Sequence, residues 1–198
     1  MSELIETPGL KEFFSDPDIQ YALTMGNIQE CYDELNIRRK NRFDPMVPAF
    51  TKVLLSAGIN PLEYQTRIIN CQFDGIQELK GLLVIPSNIK AIEPTAFSYC
   101  RGLTDLKIED GCETIGGQAF LRCENLRTIE IPKSVTTIGS GCFSCCGKIS
   151  KVVMPAKYSS RGKPGEPLSK LGTKIENIFG PGFFERHQNE TCEFKFIR

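Results

Sequence analysis

The chain has no tryptophan and only one histidine among its 198 residues. A lone imidazole leaves little room for catalytic arrangements built on a histidine base. His187 lies in a polar stretch between apolar pieces, where a solvated side chain is expected. Charge of a single sign is also missing, since 24 basic and 24 acidic side chains cancel. That argues against the strongly basic face of a nucleic-acid binder. No apolar run approaches the roughly 18 residues of a membrane span. The opening Met1-Ser2-Glu3-Leu4-Ile5-Glu6 is acidic and leads into no apolar signal core. The expected compartment is therefore a cytoplasm, of a bacterium or of an infected host. No glycine-rich phosphate motif is present, and no motif calls for a cofactor.

Cysteine, by contrast, is plentiful, and its spacing is informative. Cys100, Cys123 and Cys146 recur every 23 residues, as do Phe97, Phe120 and Phe143, and Ile92, Ile115 and Ile138. Further ladders run through Leu83, Leu106, Ile129 and Val152, and through Ile85, Ile108, Ile131 and Met154. A period of this length marks stacked coils, none of which can bury its apolar face alone. Leu83-Val84-Ile85, Leu106-Lys107-Ile108 and Ile129-Glu130-Ile131 alternate with the period of a half-buried strand. Pro86, Pro132 and Pro155 end those strands because proline lacks the N–H that a ladder needs. Gly116 and Gly139 sit where the coil must bend and a positive φ is expected, and Glu93 holds that place in the first unit. Cysteines on the core side of such coils act as small hydrophobes, which suits free thiols and a reducing compartment.

The run from Leu126 to Gly139 and the run Gly117-Gln118-Ala119-Phe120-Leu121-Arg122-Cys123 resemble the BspA-like type of leucine-rich repeat. The resemblance covers about residues 81 to 158. It implies an α+β chain: a short leucine-rich-repeat solenoid of 3–4 coils of 23 residues with parallel strands, an N-terminal helical region and a C-terminal strand cap. The expected division is 1–80 helical, 81–158 solenoid, and 159–198 loop and cap. The family is known in surface adhesins and in viral and parasite proteins. The small size and short repeat look like phage-encoded members, which would engage or inhibit a host protein.

The flanks read differently. Asp16-Pro17 and Asp44-Pro45 look like helix starts. Asn27-Ile28-Gln29-Glu30 has the form of a capping box, followed by an apolar stripe of Ile28, Cys31, Tyr32 and Leu35. Gly58 fits a helix C-cap, and Asn60-Pro61 opens a short turn. Residues 1–80 carry 8 basic and 12 acidic side chains, so this region is the acidic part of a neutral chain. Ser159 to Pro167 reads as a loop, and Lys174–Phe179 and Cys192–Phe196 read as strands.

Three functions come from different classes. The first is a non-enzymatic protein-interaction module with a protein partner, no nucleic acid and no membrane. The residues offered for contact are the basic cluster Arg38, Arg39, Lys40 and Arg42, and the solvent side of the strands: Asp105, Lys107, Thr128, Glu130 and Lys151. A face of four short strands falls below the about 800 Å² per partner of a standard interface. A tight partner must also touch the helical region, the 156–174 loop or a second copy of the chain. The second function is an enzyme whose carboxylates would be Asp74, Glu63 and Asp44 in the helical region. The third is a secreted adhesin fragment. Cys123, Cys142, Cys145 and Cys146 could supply four thiolates to zinc, but their spacing does not match paired C-x-x-C knuckles and three are core positions.

Overall fold

The computed structural model describes residues 9–38, 45–158, 172–181, 183 and 192–198. Four helices come first: α1 (Leu10–Ser15), α2 (Pro17–Thr24), α3 (Ile28–Arg38) and α4 (Met46–Ser56). Their starts follow the local chemistry of the sequence. The Asp16 carboxylate accepts the Asp18 N–H at 2.9 Å and caps α2, with Pro17 at the first helical position. The Asn27 side chain donates to Glu30 at the head of α3. Gly58, at φ +77, closes α4 as expected. These helices bury one core, in which Leu10, Phe13, Ile28, Cys31, Tyr32, Leu35, Phe50 and Leu54 meet. Phe50 is its hub. The rings of Phe13 and Tyr32 meet it edge-on at 5.5 and 5.1 Å. The buried Tyr32 hydroxyl lies 2.6 Å from Thr51 Oγ1, so its polarity is satisfied.

Two parallel sheets follow, wound from successive coils. One has the order β1 (Arg67–Ile68), β3 (Ala91–Ile92), β5 (Thr114–Ile115), β7 (Thr137–Ile138). The other has the order β2 (Gly81–Ile85), β4 (Leu103–Ile108), β6 (Thr128–Glu130), β8 (Lys151–Pro155), β9 (Glu193–Ile197). Registers match the ladders, with Leu106 opposite Ile129 and Ile115 opposite Ile138. Phe97 and Phe120 stack at 5.0 Å, and Phe120 and Phe143 at 5.3 Å. The cysteine ladder also has a polar task. The thiols of Cys100, Cys123 and Cys146 donate to the carbonyls of Phe73, Phe97 and Phe120, one coil back, at 3.0, 3.3 and 3.2 Å. A small apolar group that can also donate satisfies a carbonyl in a turn that no strand covers.

The coils extend further at both ends than the expected 81–158. β1 pairs with β3, and Phe73 stacks on Phe97 at 4.6 Å, although their spacing is 24 residues. The extra residue falls near Gly81, at φ +74, where the register between β2 and β4 shifts. At the other end, the segment read as a strand is the helix α5 (Gly172–Phe179). Ile175, Ile178 and Phe179 are spaced for one helical face and are buried. Phe179 stacks on Phe143 at 5.4 Å, and the Ile178 carbonyl accepts the Phe143 N–H at 2.9 Å. A short helix thus takes the place of the next coil. β9 falls where a strand was expected.

The bends correct a second expectation. Gly116 and Gly139 are not among the positive-φ residues. They are glycines because coils touch there: a Cβ on Gly139 would lie 2.3 Å from Gly117 N, and one on Gly116 2.4 Å from Pro94 N. Eight of the left-handed residues form two other ladders, Cys71, Thr95, Gln118 and Gly141, and Gly75, Tyr99, Arg122 and Cys145. Glu93 is tolerated in the first unit because its carboxylate is used. It accepts the Asn70 N–H at 3.0 Å and pairs with Arg67 at 3.0 Å.

Candidate partner-binding surface

Strand alternation places two rows of side chains on the outer face of the five-stranded sheet. Register aligns Leu82, Asp105, Thr128, Lys151 and Glu193 in one row, and Val84, Lys107, Glu130, Val153 and Lys195 in the other. Every strand candidate from the sequence therefore lies on one surface. Lys107 sits opposite Glu130, as the spacing implied, and Lys151 sits opposite Glu193. The face holds three cations and three anions, interleaved. Such a balance suits a protein surface and not a phosphate backbone. Its N-terminal margin is apolar, with Leu82 59% and Val84 38% exposed.

The basic cluster fares differently. Arg38 closes α3, where its guanidinium bonds Asp16 at 2.7 Å and Glu34 at 2.6 Å and lies over the Phe13 ring. The bond to Arg38 holds the Asp16 carboxyl below its usual range. Arg38 is thus engaged in holding α2 to α3. Arg39, Lys40 and Arg42 lie outside the described residues, as do His187, Asp44 and the Ser159–Pro167 loop.

Among the described residues, the two enzyme candidates Glu63 and Asp74 lie on separate turns. Glu63 is exposed on the 3₁₀ turn Pro61–Glu63 and receives a bond from Asn60. Asp74 lies in the turn after Phe73, where burial raises its pKa. A recess along α1 and α2 is lined by Lys11, Glu12, Ser15, Asp16 and Pro17, and holds neither carboxylate. Among the described residues, no group of three or more thiols and carboxylates is placed to hold a metal ion. Cys145 is exposed on a left-handed turn, whereas Cys123, Cys142 and Cys146 are buried. Burial pushes Cys100 to about 12 and Cys112 to about 11, and Cys142 well above its ordinary value. The Cys146 thiol and burial together do the same for Cys123. These thiols stay protonated near neutrality and are not nucleophiles there.

Residues 49–163 match the sequence profile of the BspA type leucine rich repeat region, in six copies. The chain belongs to the BspA-type leucine-rich-repeat family. The match starts inside α4, well before residue 81, in keeping with the coil that Arg67–Ile68 and Phe73 build. Among curated proteins, none matches the chain. Leucine-rich repeats generally mediate protein–protein contact, and the family is typically non-enzymatic. For this BspA-type chain, the sequence missed one thing about the outer face: Glu193 and Lys195 extend it. The alternation of Glu193-Phe194-Lys195-Phe196 showed the strand, but nothing local showed that β9 would pair with β8 across some forty residues of chain.

Proposed function

We propose that this chain is a non-enzymatic protein-binding module whose docking surface is the outer face of the five-stranded sheet. The supporting observation is the pair of rows just described, charge-balanced in the middle and apolar at the β2 margin. Its residues are free to make contacts because the core lies wholly on the other face. The finer reading is a host-directed binder or inhibitor of the phage type, supported by the short repeat that such proteins share. A reducing compartment suits it, since all nine cysteines are free thiols and eight of them are buried. The helical region would supply part of the contact area, and the solenoid would hold it rigid.

The test is affinity capture with the wild type and with a Leu82→Asp/Val84→Asp variant, from extracts of candidate host cells. The expected result is one protein retained by the wild type and lost with the variant, while both melt alike. Identical capture by both would contradict the assignment of this face.

A further inference from the structure

We propose that two copies of this chain associate through the free edge of β9, antiparallel and in a register centred on Phe194. β9 is the last strand of its sheet, and among the described residues no strand pairs with its far edge. The Glu193 N–H donates across β8 to the Ser150 carbonyl at 2.8 Å. With a backbone period of two, the N–H and C=O groups of Phe194 and Phe196 point to that free edge. Unpaired edge groups of this kind are a template for another strand.

The charges select the partner and the register. Two copies related by a twofold axis normal to the sheet keep their faces, so like-facing residues meet. Centring on Glu193 sets Glu193 against Glu193, and centring on Lys195 sets lysine against lysine. Centring on Phe194 sets Glu193 against Lys195 twice, on the exposed face, and Phe194 against Phe194 beneath. Cross-strand pairs of opposite charge stabilise a sheet and like pairs destabilise it. Phe194 and Phe196 are only half-buried within one chain, although Phe194 already packs edge-on against Phe179. The second copy would cover them.

The pairing stands on β9 alone, while its consequence rests on the protein-binding reading above. Five strands spaced at roughly 4.8 Å, about five residues long, present about 400 Å². Two copies joined edge to edge present about twice that in one continuous face, the about 800 Å² that a standard interface takes from each partner.

Sedimentation equilibrium of the full chain across the micromolar range tests this, with melting curves as the control for folding. The wild type should be a reversible dimer. Lys195→Glu turns both opposite-charge pairs into like pairs and should weaken the dimer about tenfold. Glu193→Lys combined with Lys195→Glu restores the complementarity and should restore the dimer. A folded wild type that stays monomeric overturns the proposal. So does a dimer indifferent to Lys195→Glu, or one that the combined variant fails to rescue while melting normally. A monomer that still captures a protein through Leu82 and Val84 sinks the pairing alone; a dimer that captures nothing sinks the docking face alone.

Discussion

The helical region and the solenoid bury aromatic rings in opposite ways. In the helices, Phe50 gathers Phe13, Phe14 and Tyr32 around one hub, mostly edge-on. In the solenoid, Phe73, Phe97, Phe120, Phe143 and Phe179 form a single file, in which each inner ring stacks on one neighbour on either side. The hub ties α1, α3 and α4 to one residue. The file passes each contact only to the next coil, as expected of a quasi-one-dimensional stack. A fault should therefore spread through the whole helical region, but only one coil each way in the solenoid.

Alkaline pH should separate the two regions most strongly. Unfolded thiols ionise above about 9, the ordinary value, whereas Cys100 and Cys112 stay protonated to about 12 and about 11. The folded state then binds more protons, and stability falls as pH rises. Each such thiol removes about 1.4 kcal/mol per pH unit. Between neutrality and pH 9 these thiols are protonated in both states and leave the melting temperature unchanged. The solenoid holds most of these thiols, while the helices hold Cys31, which burial raises to about 11. A pH series of melts followed by circular dichroism should show the strand signal failing first.

Next come the rings. Phe120→Ala and Phe50→Ala should each cost about 3–5 kcal/mol in chemical denaturation, the usual range for a buried phenylalanine. Gly139→Ala should cost about 3 kcal/mol, because its Cβ meets the Gly117 backbone, which cannot rotate away. Had the glycine served a positive φ, alanine would strain only its own turn. The smallest effect belongs to the junction. Arg67 pairs with Asp33 at 2.6 Å and with Glu93 at 3.0 Å, but its side chain is 42% exposed. Arg67→Ala should cost under about 1 kcal/mol by the same measurement.

The comparison also explains what could be read from the sequence. Phe97, Phe120 and Phe143 were legible because identical coils repeat identical spacing. Phe73 was hidden by one extra residue at Gly81, and Phe179 by a helix that supplies the same ring from another backbone. A periodic reading finds only periodic partners. The strand candidates Asp105 to Lys151 were legible as a face because alternation fixes which side points out. Arg38 was legible as a charge but not as a salt bridge, since Asp16 lies 22 residues away on another helix. The edge of β9 followed from topology, which no local pattern encodes.

The most direct measurement of the difference between the two cores is residue-resolved hydrogen exchange on Phe50→Ala and Phe120→Ala. Phe50→Ala should deprotect α1 through α4 together and leave β4, β6 and β8 protected. Phe120→Ala should deprotect the coils of Phe97 and Phe143 and leave the helices as they were. Uniform loss of protection across the whole chain in both variants would contradict the account, because it would mean one core and not two.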